Sequence, residues 1–413
     1  MSIGPTCQSC GAQLRETLID LGEQPLANAY LTREQLEEGK ELRYPLHARI
    51  CGDCLLVQVE QVVLPAEIFT DYAYFSSYSA SWLDHCAAYA QDVTERLSLD
   101  ASSMVIEVAS NDGYLLKNFV AAEIPVRGIE PAANVAAAAI AAGVPTEIAF
   151  FGGDCASRLV AHGLAADLVV ANNVLAHVPD LDDFVTALSA VLKPEGVVTI
   201  EVPHVLRMIE GVEFDTIYHE HLLYFSLLSV RDVLARRGLR VFDVEELATH
   251  GGSLRIWAAR ADGEAWPETA RVDQVLAAER AARLDSLDGY RAFAPQVEGL
   301  LEDLRRFLRD AIAEGKHVAA YGAAAKGNTL LNAAEVTTDE IGYVVDRSPH
   351  KQGKFLPGSH LPIDEPDRVR RERPDYLVLL PWNLRDEIIA QMADVREWGC
   401  RFVLPIPKLE CLR

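Results

Sequence analysis

Two pairs of cysteines constrain the beginning of this 413-residue chain more than any other feature. They are Cys7-x-x-Cys10 and Cys51-x-x-Cys54. The two-residue spacing lets both thiolates of a pair point inward from one tight turn. Two such turns supply the closed tetrahedral shell of a structural Zn²⁺, which leaves no open coordination position for catalysis. We therefore predict a zinc-binding module over residues 1–65, with β-like runs at 14–20, 43–50 and 55–59.

The charge balance excludes several classes of partner. Lys and Arg number 38 and Asp and Glu number 61, which gives a net charge of −23. Such a field repels phosphate backbones and anionic membrane surfaces, so we expect no nucleic-acid or membrane partner. No apolar run approaches the roughly 20 residues of a transmembrane helix, and the opening MSIGPTCQSC lacks the basic and apolar regions of a signal peptide. We expect a cytoplasmic monomer, in which the eight cysteines form no disulfide framework.

Short apolar runs alternate with helix-like segments from about residue 100 onward. The runs MVIEVAS, VRGIE, VPTEI, DLVVANN and GVVTIEVP form the first series. This alternation predicts a parallel sheet with helices on both faces. An Ala- and Glu-rich helical stretch separates it from a second α/β series with room for about four strands. The expected fold class is α/β, with a Rossmann-like domain at 66–262, a helical connector at 263–315 and a second Rossmann-like domain at 316–413.

Small and polar residues follow the strands of the first series, where open α/β sheets bind ligands. The first strand leads into E-V-A-S-N-D-G, in which small residues allow close approach and the next helix offers free N–H groups. A carboxylate some 20 residues later, at the end of VRGIE, can bind both hydroxyls of a ribose. Each feature alone is also compatible with a ligand-free turn or a solvated charge. Together they favour a nucleoside pocket formed by Glu107, Ala109, Ser110, Asn111, Gly113, Glu130, Asn172 and Asn173.

The segment YHEHLLYFS, residues 218–226, concentrates acid–base side chains after the fifth strand. His219, Glu220 and His221 are consecutive, and Tyr218 precedes them. A histidine has an ordinary pKa near 6.5, so a useful fraction is neutral at pH 7 and can accept a proton. We interpret the segment as catalytic; a metal site and an ordinary polar loop are the alternatives.

A positive cluster in the second α/β series is unusual in so acidic a chain. The loop GAAAKGNT places Lys326 before its second glycine, so it is not a Walker A loop. A helix N-terminus with one lysine is still an anion site. Further positive charge follows the next strand, in DRSPHKQGKF. The cluster predicts a diphosphate site, with a solvated loop as the alternative, and the absence of G-x-G-x-x-G disfavours a second dinucleotide cofactor.

The order of these motifs resembles one enzyme family. The zinc knuckles, the E-x-A-S-N-D-G loop, NNVLAHV, YHEHLLYFS, HGGSLR and GAAAKGNTLLN follow one another along nearly the whole chain. The sequence is similar to the zinc-containing sugar C-methyltransferases, which act on nucleotide-linked 4-keto-6-deoxyhexoses, and most similar to their 3-C-methyltransferase group. The middle domain resembles the class I S-adenosylmethionine (SAM) methyltransferases, although its first loop has one glycine where that superfamily usually has three.

The resemblance implies specific roles. Asn111 would lie in the SAM loop and Glu130 on the ribose, and SAM and a structural Zn²⁺ would be the cofactors. His221 would be the base that removes a proton next to the C4 ketone, and Tyr218 and His177 would donate hydrogen bonds to the enolate oxygen. The implied reaction centre comprises Tyr72, His177, Tyr218, Glu220 and His221, and the implied sugar-nucleotide ligands are Tyr78, Asn173, Lys326, Asn328, Arg347, His350 and Lys351.

The expected reaction is methylation of C3 of a dTDP-linked 4-keto-6-deoxyhexose in deoxysugar biosynthesis. Methylation at C5, transfer to oxygen or nitrogen, and a GDP-linked substrate remain open. An NAD-dependent oxidoreductase that uses the C-terminal domain is a different enzyme class. A zinc-scaffolded binding protein without activity is the non-enzymatic alternative.

Overall fold

The computed structural model describes residues 5–64, Ser77 and residues 80–412. Its N-terminal part is a four-stranded antiparallel sheet. The strands, in sheet order, are β1 (Glu16–Pro25), β2 (Arg43–Ile50), β3 (Val57–Val59) and β9 (Leu223–Tyr224), and helix α1 (Arg33–Glu38) joins the first two. The third strand begins later than predicted because Leu55 is left-handed, with φ 60°. The fourth strand is part of YHEHLLYFS, so the N-terminal sheet is physically continuous with that segment.

The middle of the chain forms a seven-stranded sheet in the order β10-β11-β8-β7-β4-β5-β6. The pairs from β8 to β6 are parallel, and β11 runs antiparallel to both of its neighbours. The strands are β4 (Val105–Val108), β5 (Val126–Ile129), β6 (Thr146–Glu147), β7 (Ala166–Asn172), β8 (Leu192–Pro203), β10 (Leu239–Leu247) and β11 (Ser253–Arg260). The helices are α2 (Ala80–Leu97), α3 (Leu116–Ala121), α4 (Ala133–Ala141), α5 (Gly153–Ala161), α6 (Leu181–Val191), α7 (Val205–Glu210) and α8 (Leu227–Ala235).

The continuous apolar runs of this sheet reflect burial on both faces. Val105 and Leu168 belong to one apolar cluster and their successors Ile106 and Val169 to another, because successive strand residues point to opposite sides. Helices therefore cover both faces, and the prediction of a doubly covered parallel sheet is confirmed.

The C-terminal part forms a six-stranded sheet in the order β14-β13-β12-β15-β16-β17. Five strands are parallel and the last is antiparallel, whereas the sequence suggested about four. The strands are β12 (Val318–Tyr321), β13 (Val344–Val345), β14 (Ile363–Asp364), β15 (Tyr376–Leu379), β16 (Arg401–Leu404) and β17 (Glu410–Leu412). The helices are α9 (Ala270–Ala281), α10 (Phe293–Ala313), α11 (Ala325–Ala333), α12 (Asp367–Glu372) and α13 (Arg385–Gln391), of which α9 and α10 occupy the predicted connector.

In each parallel sheet, successive strands are added first on one side of the first strand and then on its other side. The chain moves outward from β4 to one side and returns beside it at β7, and it does the same at β12 and β15. Such a reversal opens a crevice beyond the carboxyl ends of the two strands. The loops predicted to bind ligands follow β4 and β12, so both lie at these crevices.

Apolar packing joins the N-terminal sheet to the C-terminal one. A single cluster of buried side chains includes Leu46 and Ile50 of β2, Phe214 after α7, Leu304 of α10 and Leu377 of β15. None of the helices within the described residues is both long enough and apolar enough to cross a bilayer.

Candidate active site and metal site

The four cysteines of the two knuckles converge at one point. Sγ of Cys7 lies 3.5 Å from that of Cys54, and Sγ of Cys10 lies 3.5 Å from that of Cys51. All four sulfur atoms lie within 4.8 Å of one another. Zn–S bonds of 2.3 Å in a tetrahedron place sulfur atoms about 3.8 Å apart, so the four thiols fit Zn²⁺. The predicted structural metal ligands are thus brought together.

Main-chain and amide N–H groups point at these sulfur atoms. The N–H of Ser9 and the side-chain amide of Gln58 donate to Cys7 Sγ, at 3.4 and 3.3 Å. The N–H of Cys54 donates to Cys51 Sγ at 3.5 Å. Such donors stabilise the thiolate form that binds the metal.

The loop after β4 is shaped by left-handed residues. Ala109, Asn111 and Gly113 have φ values of 56°, 48° and 78°. At Gly113 an added Cβ would lie 2.9 Å from Cγ2 of Val144, so glycine is required for space as well as for conformation. The N–H of Asn111 donates to Glu130 Oε2 at 2.9 Å. The loop and the carboxylate predicted to bind the ribose are therefore in direct contact.

The carboxylates of this crevice are both buried. Glu130 also accepts the N–H of Ala132 at 2.8 Å. Burial raises the pKa of Glu130, and these two main-chain bonds act against that rise. Burial raises the pKa of Glu107 well above its usual range, and the Tyr114 hydroxyl acts in the opposite direction. Burial thus favours the neutral form of Glu107, whereas Glu130 accepts hydrogen bonds from the main chain on both of its oxygens.

Several polar atoms at this crevice fit a polar cofactor such as SAM. Ser110 Oγ and both amide atoms of Asn172 are buried and lack a hydrogen-bond partner among the described residues. An added Cβ at Gly128 would lie 2.5 Å from Ser110 Oγ, so the strand approaches the loop closely. Asn173 follows with φ 53°, and its Nδ2 lies 3.5 Å from His250 Nε2. Buried polar atoms are normally paired, so Ser110 and Asn172 are suited to hold a bound molecule.

Tyr218 and His221 form a hydrogen-bonded pair in the next part of the site. The Tyr218 hydroxyl lies 2.6 Å from His221 Nε2, and His221 Nδ1 lies 2.9 Å from the carbonyl oxygen of Thr216. A carbonyl only accepts, so Nδ1 carries the proton and Nε2 has the lone pair. Burial, and then the neighbouring His177, lower the pKa of His221 well below its usual value. His221 is thus neutral at pH 7 and basic at Nε2.

His177 stands beside this pair and also directs its Nδ1 at a main-chain oxygen. Its ring centre lies 4.8 Å from that of His221, and its Nδ1 lies 2.7 Å from the main-chain oxygen of Glu220. Burial lowers the pKa of His177 to about 4. Neutral His177 therefore has its proton on Nδ1 and a lone pair on Nε2, and its role as a donor to the enolate oxygen stays a prediction.

The other two acid–base residues of the segment turn away from the pair. Glu220 Oε1 accepts a 2.7 Å hydrogen bond from Asn28 Nδ2, and burial raises the pKa of Glu220 to about 6. His219 Nε2 lies 3.3 Å from the carbonyl oxygen of Tyr44, on the N-terminal sheet. Tyr72 and Tyr78, the remaining predicted residues on this side, lie outside the described residues.

Lys326 lies between the two parallel sheets. Its Nζ donates to the carbonyl oxygen of His250 at 3.2 Å and lies 4.9 Å from the ring centre of Trp382. Burial lowers the pKa of Lys326, and the charges of Asp215 and Glu213 oppose this. The lysine charge is thus compensated locally, close to the SAM crevice.

The remaining positive residues of the predicted diphosphate site lie on the loop after β13. Lys351 Nζ donates to the carbonyl oxygen of Ala323 at 2.8 Å and lies 3.5 Å from Asp346. Arg347 is exposed and pairs with Glu387 at 3.2 Å. His350 is exposed on the same loop. Asn328 is buried, and its Oδ1 lacks a partner among the residues described.

Sequence reasoning missed residues that reach the site from other elements. Asn28 comes from the N-terminal module and contacts Glu220. Asp215 accepts a 2.8 Å hydrogen bond from Trp382 Nε1, across the two sheets. His250 belongs to the motif HGGSLR, which was recognised as part of the family pattern, but the sequence suggested no role for this histidine. Asn28 lies in no motif, and no sequence signal pointed to it.

The fold and the site define a SAM-dependent methyltransferase with a zinc-binding module. Family models match residues 248–407 (C-methyltransferase C-terminal domain), 82–244 (methyltransferase domain) and 7–69, the last described as zinc binding. The C-methyltransferase NovU of Streptomyces niveus is 37% identical over 405 residues, covering 97% of this chain and 95% of that protein. The chain belongs to this C-methyltransferase family. The comparisons thus favour the methyltransferase prediction over the oxidoreductase and the inactive binding protein.

Solved structures of methyltransferases resemble part of the chain. Magnesium protoporphyrin IX methyltransferase of Synechocystis PCC 6803 with bound SAM is 13% identical, covers 44% of this chain and 78% of its own, and has a TM-score of 0.31. A SAM-dependent methyltransferase of Mesorhizobium loti is 14% identical, covers 43% of this chain and 100% of its own, and has a TM-score of 0.34. These scores are too low to carry an argument.

Proposed function

We propose that the protein methylates C3 of a dTDP-linked 4-keto-6-deoxyhexose through a base-generated enolate. The observation that carries the proposal is the orientation of His221. Its Nδ1 is fixed on the Thr216 carbonyl and its Nε2 holds the lone pair. A neutral imidazole with one oriented lone pair is a general base, which is what removal of a proton next to a ketone needs.

The proposed chemistry begins when the Tyr218 hydroxyl turns from His221 towards the C4 oxygen of the sugar. This movement frees Nε2, which takes the C3 proton, while the C–H electron pair passes into the enolate. Tyr218 donates its hydrogen bond to the oxygen that becomes negative, and the Thr216 carbonyl supports the imidazolium through Nδ1–H. SAM, when bound, supplies the electrophilic methyl group. The protein needs no covalent intermediate, and alignment of the two reactants can supply up to about 7–11 kcal/mol of the barrier.

SAM is proposed to occupy the crevice after β4 and β7. Ser110 and Asn172 offer unpaired polar atoms there, and Glu130 is in place for ribose hydroxyls. His250 lies between this crevice and Lys326, since it is near Asn173 on one side and its carbonyl accepts from Lys326 on the other. The proposed methyl donor and base thus approach the same space between the sheets.

The sugar nucleotide is proposed to lie at the C-terminal crevice. Its support is the reversal of strand order beside β12, together with Lys351 and the buried, unpaired Oδ1 of Asn328. The positive charge of Lys326 is compensated by the carboxylates of Glu213 and Asp215. We therefore propose that Lys326 lies near the reacting sugar and not at the diphosphate. Arg347 and His350 remain proposed diphosphate ligands on the exposed loop.

The test is incubation of the protein with SAM and a panel of dTDP- and GDP-linked 4-keto-6-deoxyhexoses. A mass gain of one methyl group on a dTDP sugar, placed at C3 by NMR, is the expected result. Solvent deuterium should also enter C3 without SAM. Methyl transfer to C5 or to oxygen, or a preference for GDP sugars, would refute the corresponding part of the proposal. Absence of methylation of every sugar would refute it as a whole.

A further inference from the structure

The N-terminal module reaches the proposed reaction centre through one side chain. Asn28, in the loop that follows β1, donates from Nδ2 to Glu220 Oε1 at 2.7 Å, although the two residues are 192 positions apart. Only 6% of Glu220 is exposed. A hydrogen bond from a neutral donor to a buried carboxylate favours the charged form. The contact therefore holds the Glu220 side chain in place and favours its ionised form.

Neighbouring contacts fix Asn28 from the other side. The Tyr30 hydroxyl lies 3.2 Å from Asn28 Oδ1 and donates to the carbonyl oxygen of Ala323 at 2.7 Å. Leu31 and Phe355 exchange two main-chain hydrogen bonds, of 3.0 and 2.9 Å. Because a carboxylate oxygen accepts, the amide of Asn28 presents its N–H₂ group to Glu220 and leaves Oδ1 on the side of Tyr30. The loop is thus held between the zinc module, the catalytic segment and the C-terminal sheet.

We propose that Asn28 is a positioning residue that holds Glu220 in the reaction centre, so that the N-terminal module completes the active site. The proposal rests on the proposed function and on the reaction centre implied by the family resemblance, to which Glu220 belongs. The module is then more than a stabilising appendage. Its loop carries a side chain that the reaction needs, and its sheet takes its fourth strand from the same catalytic segment.

The electrostatic surroundings of Glu220 agree with this role. Burial raises the pKa of Glu220 to about 6, and Asn28 opposes the rise. Tyr30 faces the carboxylate and is uncharged, since burial and then the charges of Asp346 and Glu220 raise its pKa. His177 contacts the main chain of Glu220, and neutral His221 and His219 flank it. Asn28 is therefore the group whose removal should most affect the ionisation of Glu220.

The experiment compares Asn28→Ala and the isosteric Asn28→Asp with wild type. In the pH–rate profile of Asn28→Ala the acid limb is expected to move up by about one pH unit, because the carboxylate loses its donor. In Asn28→Asp the shift should be at least as large, because a second carboxylate then also faces Glu220. For a limb that moves from about pH 6 to about pH 7, kcat should fall by roughly twofold at pH 7 and roughly fivefold at pH 6, while the dissociation constant for SAM stays unchanged. If Asn28→Ala fails to fold, Asn28→Asp decides alone. An acid limb that coincides with that of wild type would overturn the proposal.

Glu41→Gln is the matched control. Glu41 also links the N-terminal module to the C-terminal part, through a 2.7 Å hydrogen bond from the N–H of Gly358, but no contact joins it to Glu220 among the residues described. The acid limb of the pH–rate profile of Glu41→Gln should coincide with that of wild type. A shift equal to that of Asn28→Ala would show that docking of the module, not Asn28, controls Glu220, and would overturn the assignment.

A substrate-free measurement separates this proposal from the proposed function. Protein labelled with ¹³C at the glutamate carboxyl carbons is titrated by NMR, and Glu220→Gln identifies the Glu220 signal. The Glu220 titration should move to higher pH in Asn28→Ala. If wild type methylates none of the sugars, the proposed function fails, and this titration still decides whether Asn28 controls Glu220. An unshifted titration refutes the Asn28 proposal even if methylation is observed.

Discussion

Replacement of Tyr218 by phenylalanine tests the proposed proton transfer through two opposing effects. The variant loses the donor to the enolate oxygen, and loss of one such donor costs about 2.7–4 kcal/mol. It also no longer has to break the 2.6 Å hydrogen bond to His221 Nε2 before the base is free, which returns about 0.5–1.5 kcal/mol. The net cost is about 1–3.5 kcal/mol. We therefore expect exchange at the reacting carbon to slow by about 10- to 300-fold.

The assay is incorporation of deuterium from D₂O into the keto sugar, followed by NMR in the absence of SAM. Tyr224→Phe is the matched control, since Tyr224 lies in the same segment and its hydroxyl is 3.4 Å from the Thr216 carbonyl. Its exchange rate should stay within about threefold of wild type. Exchange at the wild-type rate in Tyr218→Phe, or faster, would refute the assignment of Tyr218 as the donor to the enolate oxygen.

Three further outcomes are expected. Activity should fall as the pH drops through about 6, because Glu220 becomes protonated there. In Glu220→Gln the pH–rate profile should lose this acid limb. An acid limb that persists in the variant would show that a group other than Glu220 is responsible for it. Removal of the metal by a chelator, or Cys54→Ser, should lower Tm by more than about 5 °C in scanning fluorimetry, whereas Cys411→Ser, at an exposed cysteine, should leave Tm unchanged. Asp243→Asn should cost about 3 kcal/mol in urea unfolding, since it leaves Arg96 and Arg271 without their buried partner.

The Asp243 prediction has a pH dependence with a defined sign. Burial acts to raise the pKa of Asp243, but hydrogen bonds from Arg271, Thr269 and Arg96 outweigh it and lower the pKa to about 2. A depressed carboxyl pKa stabilises the fold above the unfolded value of 3.8, and this stabilisation is lost as the pH falls towards 2. The difference between wild type and Asp243→Asn should shrink over that range. A difference that stays constant from pH 5 to pH 2 would contradict the ion-pair explanation.

Local patterns were sufficient to identify the zinc site and the parallel sheets, and the class of enzyme came from the resemblance of the ordered motifs to one family. Two Cys-x-x-Cys turns fix four ligands by spacing alone, and continuous apolar runs between helices identify strands buried on both faces. The loop after β4 was also recognisable, because its small residues and the later Glu130 belong to one short βαβ unit. In each case the chemistry depends on residues close together in the chain.

Tertiary structure decided which acid–base groups act together. The sequence placed Glu220 beside His221, but adjacent residues project in different directions, so Glu220 faces Asn28 while His221 pairs with Tyr218. The sequence also grouped Lys326 with Lys351, and the fold gives the two ammonium groups different partners: Lys326 donates to His250 and Lys351 to Ala323. The tautomer of each histidine depends on which carbonyl oxygen its ring nitrogen contacts, and that contact exists only in the folded chain.

The sequence by itself determined the metal ligands and the α/β class, because each is encoded in spacing or periodicity over a few tens of residues, and it indicated a methyltransferase through the resemblance of its ordered motifs to one family. Only the tertiary structure showed that YHEHLLYFS also supplies the fourth strand of the N-terminal sheet, and that Asn28 of that module reaches Glu220. Contacts between residues nearly 200 positions apart depend on the packing of whole sheets against one another, which no local pattern records.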